Sequence, residues 1–173
     1  MNYPNLKRIQ KLYMFIKTQL TEKDFINATF VVSYNKPSMK IFTGIMLLGL
    51  VFAIINAIFL SDTTYQSFIV PALMLIAFPL ITYFTAKKNF ATNARISEMV
   101  EYIFGDKDLI MKGESFNSQV SWEKIYKVTQ TKNWILIWQN KQFANLIPKR
   151  DIWDGQIEEL KEILISHKVK NNL

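Results

Sequence analysis

The stretch MKIFTGIMLLGLVFAIINAIFL, Met39 to Leu60, carries one lysine near its start and then no charge. A second stretch, FIVPALMLIAFPLITYF from Phe68 to Phe84, carries none, and Thr85 and Ala86 extend it. A bilayer core of about 30 Å takes roughly 20 apolar residues as helix. The first run meets that length, and the second reaches it near the short limit. Ser61 to Ser67 join the two. The pair predicts a transmembrane helical hairpin, with spans at 39–60 and 68–86 around a loop at 61–67. A buried hairpin in a soluble protein is the competing reading, and two uncharged runs with basic flanks fit it poorly.

The flanks give an orientation. Lys36 and Lys40 precede the first span, and Lys87, Lys88 and Arg95 follow the second. The loop has Asp62 and no Lys or Arg. Positive charge accumulates on the cytoplasmic side, so both termini are expected inside the cell and the loop outside. The formal charge of +7 over 173 residues is read by position first, and a nucleic-acid partner is not expected. The first apolar run begins too far along the chain to read as a secretory signal peptide. With no cysteine, disulfide and thiolate chemistry are excluded.

Within the first span, Gly49, Ala53 and Ala57 recur every four residues, a spacing that lets two helices approach closely. The second span is the nearest partner; a homodimer or a larger hetero-oligomer is the alternative. Asn56 lies beside the stripe and is expected to hydrogen-bond across it or to sit in the outer leaflet. Pro71 is expected to open the second span and Pro79 to kink it.

Residues 1–38 carry six Lys or Arg against two acids. Leu6, Ile9, Tyr13, Ile16 and Leu20 fall at helical spacing, which fits an amphipathic helix on an anionic membrane surface. Tyr13 to Leu20 also tolerates extended structure. The reading favoured is a short helix from about Pro4 and then a strand ending at Leu20. Thr21-Glu22-Lys23-Asp24 reads as a helix start, and Pro37 should break that helix before the first span.

After a polar connector at 87–97, residues 98–173 turn to short alternating segments. Strands are expected at Met99–Phe104, Leu109–Lys112, Phe116–Val120, Tyr126–Thr131, Trp134–Gln139 and Gln142–Ile147. Ser121 to Ile125 reads as a helical turn. This spacing predicts a small antiparallel barrel or curled sheet. A final helix is expected from Ile152 to His167, with Trp153, Ile157, Leu160 and Leu164 as its apolar stripe. Asp151 or Asp154 would cap it, and burial of Trp153 would contribute about 2–3 kcal/mol. The fold class is thus an α+β membrane protein, a helical hairpin plus a small antiparallel β unit capped by a C-terminal helix.

Leu20-Thr21-Glu22-Lys23-Asp24-Phe25, Phe104-Gly105-Asp106, Val120 to Ile125 and Ile147-Pro148-Lys149-Arg150-Asp151 together resemble the YcxB-like family of bacterial membrane proteins. The resemblance extends over most of the chain after about residue 13. It implies that the C-terminal part is similar to pleckstrin-homology-like domains. It implies no activity.

Little catalytic chemistry is legible. His167 is the sole histidine and falls in the last turn of the expected terminal helix, where a cation suits the helix end. There is no Cys/His cluster for zinc, no Walker loop and no dinucleotide fingerprint. Asp106 and Asp108 read as turn residues rather than cation ligands. The chain is therefore not expected to be an enzyme or to hold a cofactor or metal. Lys149 and Arg150, with Lys87, Lys88 and Arg95, are the candidates for contact with anionic lipid headgroups. Trp134-Ile135-Leu136-Ile137-Trp138 is apolar on both faces. One face must form the core, and the other either lies under the terminal helix or meets a protein partner or the bilayer surface; Trp134 and Trp138 are the candidate contacts. The expected function is a non-enzymatic binding module held at the membrane that recognises a protein partner or lipid headgroups. Self-immunity against a membrane-active peptide or toxin is a specific version. The alternative is an accessory subunit of a transporter or sensor complex.

Overall fold

A computed structural model describes residues 14–59 and 66–173. The expected helix from Pro4 lies outside the described residues. Two units divide the described chain, one spanning Thr21–Asn93 and the other formed by the residues up to 20 together with Ala94–Leu173.

The first unit is helical. Helix α1 (Glu22–Tyr34) starts at a capping box: the Thr21 hydroxyl accepts from the Asp24 amide, and the Asp24 carboxylate accepts from the Thr21 amide. Each satisfies an amide that the first turn leaves without a helical partner. The helix stops at Asn35, and Pro37 opens α2 (Pro37–Phe59), the first-turn position that proline tolerates. Helix α3 (Gln66–Thr92) is longer than its apolar run, because it continues through Lys87 and Lys88. The connector expected at 87–97 is therefore the end of α3 followed by α4 (Ala94–Ser97). Pro71 lies inside α3 rather than at its start, as does Pro79. Both long helices are long and apolar enough to cross a membrane. Their apolar side chains point outward: Leu48, Phe52, Ile58, Ile76 and Phe84 are all exposed, and Ala53 and Ala86 are the buried residues.

The second unit holds two antiparallel sheets. Strands β1 (Met14–Gln19), β2 (Met99–Phe104), β3 (Asp108–Lys112) and β4 (Asn117–Ser121) form one in that order. Strands β5 (Lys127–Gln130), β6 (Trp134–Trp138) and β7 (Ala144–Pro148) form the other. The strand that precedes the helical unit in sequence is thus the edge of the sheet that follows it. Its period-two pattern explains this. Met14, Ile16 and Thr18 are buried while Phe15, Lys17 and Gln19 are exposed, which is how a half-buried strand alternates. The register pairs Ile16 with Tyr102 and Gln19 with Met99. The sheets do not join into one closed barrel, which corrects the barrel alternative.

Helix α5 (Gln156–Ser166) brings Leu160, Ile163 and Leu164 into the core with Phe104, Leu109, Ile135, Ile137 and Ile147. It begins four residues later than expected. Gly155 adopts a left-handed φ of 87° at the cap, a conformation that glycine takes without the Cβ penalty. Neither Asp151 nor Asp154 caps the helix. Trp153 therefore falls before the stripe instead of on it, and it is 80% exposed.

Candidate functional site

The basic pair expected to meet lipid sits in a single 3-10 turn, Lys149–Asp151, directly after β7. Its two cations are held on different parts of the unit. Lys149 donates from Nζ to Gln130 Oε1 at 2.6 Å, and its amide donates to Asn133 O at 2.9 Å. Gln130 is in turn tied to the end of the chain, donating from its amide to Asn172 Oδ1 and from Nε2 to Asn172 O. Arg150 reaches the other way. Its Nη2 donates to Gln19 O at 3.5 Å, and its Nε lies 3.4 Å from Asp151 Oδ1.

Asp151 completes the junction, because its Oδ2 accepts from the buried Thr18 hydroxyl at 2.6 Å. A buried hydroxyl left without an acceptor is costly, and Asp151 supplies one. Beside this junction is a cavity of about 220 Å³ lined by Lys17, Thr18, Gln19, Met99, Arg150 and Asp151. Lys17 lies 3.5 Å from Glu101 across the sheet. The cavity sits where β1 ends and β2 begins, which is where the chain leaves the sheet unit and returns to it.

Of the other basic candidates, Lys87 and Lys88 belong to the helical unit and Arg95 to the sheet unit. Lys87 is in α3 and pairs with Glu22 of α1 at 3.7 Å. Lys88 is exposed on α3, and Arg95 is exposed on α4. Arg150 and Lys17 are thus brought together around one cavity, and Lys149 is directed toward Gln130.

Trp134 and Trp138 are buried, at 4% and 8% exposure, so neither is an open contact for a partner or a bilayer. Helix α5 does not lie over their face, because its core residues share a cluster with Ile135 and Ile137. Trp138 donates from its indole N–H to Thr129 Oγ1 at 2.8 Å, and Lys127 Nζ lies 5.3 Å from its ring centre. In register, Trp134 faces Pro148 and Leu136 faces Leu146.

On α2, Ala53 is buried and Gly49 is close to α3; a Cβ built on Gly49 would lie 3.6 Å from Pro71 Cγ. Ala57 is exposed. The small-residue stripe thus serves the hairpin's own packing at Gly49 and Ala53. Asn56 donates from Nδ2 to Phe52 O, one turn back along its own helix, at 2.9 Å.

A second cavity, of about 430 Å³, is lined by Asp106, Lys107, Ser121, Trp122, Glu123 and His167. The His167 ring stacks on the buried Trp122 at 4.9 Å and 10°. Trp122 donates its indole N–H to Gly105 O at 2.9 Å. Among the described residues, no three His, Cys, Asp or Glu side chains gather as a metal would need. Burial pushes the Tyr102 phenol up, so it stays neutral in the core.

Sequence reasoning missed Lys17 as a site residue and the pairing of His167 with Trp122. Lys17 had a usable signal in the alternation of Met14 to Gln19. The His167–Trp122 pair had none, since the two are far apart in sequence.

Residues 104–164 match the family model described as YcxB-like protein. The match runs from the last residue of β2 into α5, so β1 and the long helices lie outside it. No curated protein matches the chain, and no solved structure does.

Proposed function

We propose that this chain is a non-enzymatic binding module held in the cell membrane by the α2/α3 hairpin. Both termini and the sheet unit lie on the cytoplasmic side, and the sheet unit recognises anionic lipid headgroups there. The unit is read as pleckstrin-homology-like, with four- and three-stranded antiparallel sheets capped by a C-terminal helix. Its first strand is separated from the rest by the inserted hairpin.

One observation carries the headgroup reading: Lys17 and Arg150 line the same cavity at the end of the sheet from which the chain runs to the two apolar helices. Each cation has a carboxylate neighbour, Glu101 or Asp151. The Lys17 and Arg150 side chains are more than half exposed, and such pairs contribute about 0–1 kcal/mol. A lipid phosphate contributes about 1 kcal/mol per Lys or Arg near the surface, so it can displace them. The accessory-subunit alternative loses its main support, because Gly49 and Ala53 are occupied by the hairpin's own packing.

The test is hydrogen exchange on the full chain in nanodiscs. In phosphatidylglycerol discs, amides of 17–19 and 149–151 should exchange more slowly than in phosphatidylcholine discs, and high salt should reverse the difference. Equal exchange in the two lipids would contradict headgroup recognition.

A further inference from the structure

Trp153 is the most exposed large hydrophobic side chain among the described residues. At 80% it exceeds Phe59 at 76%, the most exposed large hydrophobic side chain described on the two apolar helices. The other three tryptophans, Trp122, Trp134 and Trp138, are all buried. Isolated exposed apolar residues need no explanation, but this one is set on a braced support. The Trp153 amide donates to Gln156 Oε1 at 2.9 Å, and the Gln156 amide donates to Trp153 O at 3.1 Å. Gln156 also donates from Nε2 to Phe15 O at 3.1 Å, which pins the turn to β1. Phe15 is itself half exposed. Along the same edge, Arg150 holds Gln19 O. Immediately beyond Gln19 the chain enters α1 and then the apolar helices.

We propose that Trp153 is an interfacial anchor. Its indole enters the boundary between headgroups and acyl chains and holds the sheet unit against the membrane surface. The proposal rests on the reading that α2 and α3 span the bilayer. Tryptophan suits this position because its ring is apolar while its N–H wants a polar partner. The edge is also continuous in sequence with the apolar helices, through α1. The local charge decides the character of the contact. Asp151 is engaged by Thr18 and Arg150, but Asp154 is an exposed anion next to the ring. Attraction to anionic lipid therefore does not drive this contact. Burial of the ring does, so the contact persists in zwitterionic lipid and at high salt, unlike the headgroup contact of Arg150 and Lys17.

The burial of the other three tryptophans makes the test selective. The full chain is reconstituted in phosphatidylcholine bilayers with and without lipid brominated near the headgroup end of its acyl chains. Emission is compared with that of Trp153→Phe, which isolates the Trp153 signal. That difference signal is expected to be quenched several-fold by brominated lipid, to be shielded from acrylamide, and to be unchanged by salt. Full access to acrylamide with no effect of brominated lipid would overturn the proposal. Shielding from acrylamide without bromine quenching would overturn it too, and would assign the cover to protein. An alkaline carbonate wash of the same membranes separates the two readings. Loss of the chain to the supernatant defeats the spanning reading, whereas a retained chain with unquenched Trp153 defeats only the anchor.

Discussion

Thr21 and Asp24 hold each other through the amide of each, and the Thr21 hydroxyl donates a further bond to Asp24 Oδ2 at 2.6 Å. Loss of such a cap costs about 0.5–2 kcal/mol. Thr21→Ala should therefore accelerate amide exchange in the first turn of α1 while leaving β3 unchanged; equal rates in the variant would show that the box does not hold the helix start. Gly113 is a second residue-scale constraint. A Cβ there would run into the Phe116 ring and the Glu98 carboxylate. Gly113→Ala should lower the Tm of the sheet unit by an overpacking cost of about 1 kcal/mol, and an unchanged Tm would contradict the close approach. Glu98 beside it is also titratable. Hydrogen bonds from Ser115, one of them from its amide at 2.9 Å, hold this exposed carboxyl below the usual carboxylate range. A depressed folded pKa means the contribution is present above the unfolded pKa and is lost as pH falls through the folded one. The Tm gap between the natural chain and Glu98→Gln should accordingly be open at neutral pH and close in acid. A gap that widens in acid would reverse the assigned sign.

Elements were legible in the sequence wherever a local period decided them. Two long apolar runs gave α2 and α3, and the strand read as ending at Leu20 matches β1, even though its partner β2 begins beyond the helical unit. The failures share a physical cause, a backbone event that periodicity does not encode. Trp153 has the right spacing to Ile157 and Leu160, but the chain is not helical at 153, because Gly155 turns left-handed and α5 starts after it. The candidate site was legible only in part for a related reason. Lys149 and Arg150 stand next to each other in sequence, yet their partners Gln130 and Gln19 lie in strands of different sheets. Charge pattern names such a pair without saying where each side chain goes. Within the hairpin, Ala53 is 1% exposed. Ala53→Leu should cost about 1–3 kcal/mol by overpacking, seen as earlier heat aggregation in detergent, whereas Ala57→Leu, at an exposed position, should leave it unchanged. Equal effects at the two positions would argue against the stripe as the hairpin's own contact.

For the whole molecule, the topology makes the sheet unit depend on chain from both sides of the hairpin. β1 precedes α2 and α3 and β2 follows them, so the unit can close only when the chain leaving α3 comes back to β1. Where α2 and α3 cross the membrane, as proposed above, that pairing requires an even number of crossings, independent of the basic flanks. The chain has no cysteine, so a single introduced cysteine is a unique label. The most direct measurement is labelling by a membrane-impermeant maleimide in intact cells, with Thr64→Cys in the loop and Gln142→Cys between β6 and β7. Thr64→Cys is expected to be labelled from outside, and Gln142→Cys only after the cells are opened. Labelling of Gln142→Cys in intact cells, or of neither position until lysis, would contradict a cytoplasmic sheet unit held by a spanning hairpin.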